Sequence, residues 1–138
     1  MAIVYALEND LCAADFLAVL DGSGLAERRP VGDLERIAKM LKHADLIVTA
    51  RDEAGGIVGV ARSVTDFSFC CYLSDLAVDK AFQGQGIGAR LIKRTRAEAG
   101  RETTLVLLSA PQAMTYYPKV GLDVFDNCFG LKRPWTED

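Results

Sequence analysis

The chain is poor in metal-binding residues. Its 138 residues include one histidine, His43, and four cysteines, Cys12, Cys70, Cys71 and Cys128, with no Cys-x-x-Cys pair among them. No metal site is expected from so sparse a set. Positive charge is also short. Sixteen lysines and arginines stand against 19 acidic residues, for a net charge of −3 and a pI near 5.2. That balance gives no support to nucleic acid or an anionic membrane as a partner. No apolar run approaches the ~18 residues that span a bilayer. The opening MAIVYALEND has neither a basic segment nor a cleavage-like site, so no signal peptide is expected. The cysteines read as reduced, mostly buried thiols, and a cytoplasmic location is the expectation.

What is present is an ordinary globular composition, half apolar and a quarter charged, suited to a single domain over 1–138. IVYAL (3–7) reads as a first strand and DLCAADFLAVLDGSG (10–24) as a helix with Phe16, Val19 and Leu20 inward. In GDLERIAKMLKHA, Asp33 is the expected N-cap, and Leu34, Ile37, Ala38 and Leu41 make an apolar face. LIVTA (46–50) and IVGVARSV (57–64) flank the turn 51–56 as a hairpin, and FCCYLSDLAV (69–78) is a longer strand. A helix over 87–100, ended by Gly100, leads to a buried strand at 103–110 and a short helix at 111–119. LDVF (122–125) and CFGLKR (128–133) predict a terminal hairpin turning at Asp126 and Asn127. The order β-αα-ββ-β-α-β-α-ββ predicts an α/β domain with a mixed sheet and not a regular doubly wound one.

The most informative stretch is DKAFQGQGIGARL, residues 79–91, where Gly84, Gly86 and Gly88 stand just before a helix. Glycines permit positive φ, so that backbone N–H groups converge on one point. The first N–H groups of a helix lack partners, and the helix dipole adds about half a positive charge there. A phosphate fits such a place; a tight turn without a ligand is the plain alternative. A P-loop is excluded, because Ala89 and Arg90 follow Gly88 where a lysine and a hydroxyl are required. A dinucleotide fingerprint is matched literally by Gly84, Gly86 and Ala89, but the following strand ends LLSAPQ, with no carboxylate for a ribose hydroxyl.

Gln83, Gly86 and Gly88 also satisfy Gln/Arg-x-x-Gly-x-Gly/Ala, directly after the strand end Leu76–Ala77–Val78. About 30 residues on, AMTYYPKVGLDVF (113–125) places Ala113, Tyr116, Tyr117, Lys119, Gly121 and Leu122 in the pattern A-x-x-F-Y-x-K-x-G-F. With both motifs in order, the chain resembles the GCN5-related N-acetyltransferase (GNAT) family. Tyr116 and Leu122 replace phenylalanines of that pattern, and Ala110 stands where members often carry a cofactor-contacting asparagine.

The resemblance implies a single-domain, mostly antiparallel twisted sheet flanked by helices, and acetyl-CoA as cofactor. Backbone groups of Gln83, Gly84, Gln85, Gly86, Ile87 and Gly88 would hold its pyrophosphate, and those of Leu76, Ala77 and Val78 its pantetheine arm. Tyr117 matches the family's general acid. A general base is not fixed by the resemblance; Asp75, an acid in the strand that meets the cofactor, is the candidate, ahead of Asp66 in a loop. His43 reads as a surface residue. The acceptor is expected to be an amine, with a small molecule favoured. Arg28 and Arg29 in GSGLAERRP either meet an acidic acceptor or are simply solvated. A homodimer, common in the family, is compatible with exposed edges such as the terminal hairpin. Two other functions stay open: an acetyl-CoA sensor or partner-binding module on this fold, and a dinucleotide-dependent oxidoreductase.

Overall fold

A computed structural model describes residues 2–136. The chain divides into two compact units, Met1–Leu108 and Ser109–Asp138. The first contains strands β1 (Val4–Leu7), β2 (Leu46–Arg51), β3 (Ile57–Thr65), β4 (Cys70–Val78) and β5 (Thr104–Val106), with helices α1 (Ala13–Ser23), α2 (Leu34–Lys42) and α3 (Ile87–Ala99). Among its described residues the second has a 3-10 turn at Pro111–Ala113 and the short helix α4 (Tyr116–Lys119). Among the described residues no helix is long and apolar enough to cross a membrane.

The sheet runs in the order β1-β2-β3-β4-β5. Its first four strands are antiparallel and β5 joins β4 in parallel, so the expected mixed, mostly antiparallel sheet is present. The Asp52 carboxylate closes the β2–β3 turn by accepting from the N–H groups of Ala54 and Gly56. On one face, Phe16, Val19 and Leu20 of α1 and Ile37 and Leu41 of α2 form a core with Ile47, Val60 and Ala77. Asp33 caps α2 as expected, accepting from the Arg36 N–H at 3.1 Å. The buried stripe of α2 is narrower than the apolar pattern predicts: Ile37 and Leu41 are buried, whereas Leu34 is 63% exposed.

The other face carries α3, and Gly59 in mid-β3 lets the helix approach. A Cβ at that position would lie 3.0 Å from Leu91 Cδ1 and 3.3 Å from Ile87 Cγ2. Gly59→Val is therefore expected to destabilise the fold by about 1–3 kcal/mol through overpacking, read as a lower denaturation midpoint with an unchanged m-value.

One irregularity shapes the functional end of the sheet. Arg62 pairs with Asp75 but Ser63 pairs with Leu73, so Ser74 is an extra residue in β4. Such a bulge exchanges the faces that alternate side chains address. Cys71, ahead of it, packs with Leu46 and Ala99; Ala77, beyond it, packs with α1 and α2. The vicinal cysteines separate as a strand requires, Cys70 outward and Cys71 fully buried. Burial pushes the Cys71 thiol up, with nearby Ser63 and Thr65 hydroxyls drawing it partly back. A raised folded value means this contribution to stability is intact below the ordinary thiol value of ~8.5 and is lost as pH rises through the folded value. Peptide mapping after alkylation of the native protein is expected to find Cys70 modified and Cys71 spared until unfolding.

Three expected strands differ from the structure. The strand predicted at 103–110 is reduced to Thr104–Val106. The terminal hairpin is not formed: a turn does fall at Asp126 and Asn127, but no strand flanks it within the described residues. Four- to six-residue arms around a polar turn do not hold a ladder unaided.

Candidate active site

The site begins where β4 outruns β5. Their ladder couples Cys70, Cys71 and Tyr72 to Thr104, Leu105 and Val106 and stops there, while β4 continues to Val78. Beyond Tyr72 that edge of β4 has no neighbouring strand among the described residues. The direction of its peptide groups follows from the other edge. Asp79 N–H bonds to Val58 O at 2.8 Å, and the register pairs Val78 with Gly59, Ala77 with Val60 and Leu76 with Ala61. Antiparallel strands alternate bonded and non-bonded pairs. Asp79 and Ala77 therefore address β3, and Leu76 and Val78 turn their N–H and C=O groups to the open edge. Val78 O on that edge accepts from Gln83 Nε2 at 3.0 Å, which ties the strand end to the loop that follows.

The Asp79 carboxylate begins the loop, accepting from Ala81 N–H at 2.9 Å. Gly22 at the end of α1 lies so close that a Cβ there would stand 2.3 Å from Asp79 Oδ2. After the short turn Lys80–Phe82 the chain passes through Gly84 at φ +83° and Gly86 at φ +80°. Both are in the left-handed region that glycine tolerates. No side chain caps α3, and the first bond of its ladder runs from Arg90 N–H to Gly86 O. The N–H groups of Ile87, Gly88 and Ala89 thus begin the helix without acceptors. A Cβ on Gly84 or Gly86 would meet no atom within 4 Å, so the space in front of the loop is open. Open space, free amides and a helix dipole suit an anion such as a pyrophosphate. The peptide groups of Leu76 and Val78 on the open edge lead, through the bond from Gln83 to Val78 O, into the loop Gln83 to Gly88, while those of Ala77 are taken up by β3.

Asp75 lies one residue ahead of Leu76, in a setting unlike the one expected. Its side chain is fully buried, and one oxygen accepts from Arg29 Nε and the other from Arg62 Nε. Arg29 also donates to Ser74 O at 2.8 Å and Arg28 O at 2.9 Å. Arg62 donates to Ser74 Oγ at 3.1 Å and Met40 O at 3.2 Å. Asp75 is thus the centre of an ion-pair cluster, enclosed between two cations, whereas a general base must reach the acceptor's proton. Arg29 is likewise not a simple solvated residue, whereas Arg28 is exposed.

Asp66 sits at the opposite end of β4. Its carboxylate accepts from the N–H groups of Ser68, Phe69 and Cys70, which hold its pKa at about 2. So acidic a group is a turn anchor and a poor proton acceptor at neutral pH. His43 is exposed at the C-terminus of α2.

Tyr117 belongs to the second unit. It is half-buried in α4, its ring edge-on to Tyr116 at 5.2 Å and 73°. Gly121 ends that segment at φ +97°, its N–H bonded to Pro118 O, which accounts for the glycine of the second motif. Arg29 was weighed only as a contact for an acidic acceptor, and its partner Arg62 was missed. The available signal was Arg62 itself, a lone charge inside the apolar strand IVGVARSV, since buried charges need partners.

Comparison with known proteins agrees with this fold. The model of the Acetyltransferase (GNAT) domain matches residues 42–121, more than half of the chain. An uncharacterized N-acetyltransferase of Porphyra purpurea is 30% identical over 95 residues, 64% of this chain and 53% of its own. A histone acetyltransferase of Glycine max is 26% identical over 133 residues, 88% of this chain and 56% of its own. The chain spans about half the length of these curated relatives. Among solved structures, a GNAT-family acetyltransferase from Streptococcus pneumoniae superposes with a TM-score of 0.75 at 23% identity, covering 99% of this chain and 100% of the other. An aminoglycoside acetyltransferase from an uncultured soil metagenomic sample, in complex with sisomicin, gives 0.68 at 23% identity, covering 98% and 96%.

Proposed function

The chain belongs to the GNAT acetyltransferase family, and on that premise we propose that residues 1–138 work as one catalytic domain that moves an acetyl group from acetyl-CoA to a primary amine of a small molecule, in the cytoplasm. The observation that carries the reading is the continuous backbone surface from the open edge of β4 into the uncapped start of α3. It offers main-chain groups to an extended arm and free amides to a pyrophosphate. When bound, acetyl-CoA supplies a thioester whose acetyl group an amine can attack directly.

The chain's own residues then have three tasks. Leu76 and Val78 orient the arm through peptide groups, so their side chains need only fit. Gly84, Gly86, Ile87 and Gly88 bind the diphosphate and leave room for it. Tyr117 holds a proton at Oη for the departing sulfur: phenols ionise near ~10, so the tyrosine is protonated at neutral pH and can donate to the sulfur as negative charge develops on it. With Asp75 enclosed, the proton lost by the amine is left to solvent.

The test is release of free CoA thiol over a panel of primary amines. Amine-dependent release is the expected result. Tight binding of acetyl-CoA with no release across the panel would instead make the protein a sensor of the cofactor.

A further inference from the structure

The cluster around Asp75 is unbalanced. Two guanidinium groups share one carboxylate, and neither has a second carboxylate within 4 Å among the described residues. One positive charge is left over in a setting where Asp75 is fully buried and Arg62 nearly so. A buried surplus charge is costly unless something of opposite sign meets it. The cluster is also placed at a particular point. Arg29 grips Ser74 O, the bulged residue from which β4 runs on without β5, and Arg62 ties the same residue to α2 through Met40 O. The surplus charge therefore stands at the head of the open edge, on the face of α1 and α2. Of the two cations, Arg29 is the one solvent reaches, its side chain 22% exposed. A guanidinium has five N–H donors, and three of those on Arg29 are used.

We propose that Arg29, held in place by Asp75, is a specificity residue that receives a carboxylate borne by the acceptor, so that the favoured acceptors are amines carrying a carboxylate close to the amino group. The proposal rests on the acetyltransferase reading and narrows its acceptor class. A carboxylate would take the two remaining donors and neutralise the surplus charge. An acceptor with a second ammonium group in that position would meet repulsion instead, so the same charge selects against polyamines. Asp75 acts as a positioning residue, fixing the guanidinium so that no ordering is required when the acceptor arrives.

The experiment uses the full chain saturated with acetyl-CoA and α-amino acids paired with the amines that lack only their carboxylates. Acceptor binding is read as a thermal shift of the CoA-bound protein, and transfer as kcat/KM from thiol release. Wild type is expected to favour the carboxylate-bearing member of a pair by about tenfold or more, the range of one charge-assisted hydrogen bond. Arg29→Gln is expected to erase that ratio without changing acetyl-CoA affinity, and Arg29→Lys to restore part of it. The ratio within a pair does not depend on how much protein is folded, and the wild-type comparison requires no variant. Equal treatment of both members, preference for the decarboxylated amines, or no response to any carboxylate-bearing amine would overturn the proposal, as would a preference that survives in Arg29→Gln. Failure of wild type to bind acetyl-CoA at all would defeat the acetyltransferase reading, and this proposal with it.

Discussion

Replacing Gly86 by valine is expected to abolish acetyl-CoA binding, raising the Kd by about a hundredfold or more, while the protein still folds. Two effects combine. At φ +80° a β-branched residue is strained in the backbone conformation that aims the loop's N–H groups; a non-glycine residue in this region costs about 1–2 kcal/mol and a branched one more. Its side chain would also enter the open space that the proposed diphosphate fills. A control separates binding from stability. Gly55, in the β2–β3 turn, has φ +86° and, like Gly86, open space where a Cβ would go. Gly55→Val carries the same backbone strain away from the loop and is expected to lower the melting temperature while leaving affinity within about twofold. Calorimetric titration of both variants checks this. Intact binding by Gly86→Val would refute the loop as the cofactor cradle.

Tyr117→Phe is expected to lower turnover by about a hundredfold or more and to leave acetyl-CoA affinity nearly unchanged. General-acid catalysis contributes typically 10²–10⁴-fold, and this change removes the donor alone. The ring remains, so edge-on packing against Tyr116 is kept. A loss confined to kcat is the signature of an interaction made only in the transition state. A fall in affinity without loss of kcat would make Tyr117 a binding residue, and unchanged kinetics would remove it from the mechanism.

How much of this was legible depends on how local each feature is. The glycine loop was readable because its physics lies in adjacent residues: a strand end, glycines at positive φ and an apolar helix start. The capped start of α2 and the β2–β3 hairpin were readable for the same reason. The bulge at Ser74 was not, since it exists only in the register between two strands, and so the end of the β4–β5 ladder was hidden too. Asp75 shows the limit most clearly. An acid in a strand beside a cofactor motif suggests a base, but its partners come from 46 residues before it and from the neighbouring strand. The terminal hairpin erred the other way: alternating apolar residues and a good turn specify a tendency, and a ladder forms only with more support.

The central claim is that the surface from Leu76 to Gly88 holds acetyl-CoA. Its most direct test is calorimetric titration of the wild-type chain with acetyl-CoA and, separately, with NAD(H) and NADP(H). The account predicts saturable one-to-one binding of acetyl-CoA and none of either dinucleotide. Dinucleotide binding without acetyl-CoA binding would contradict it.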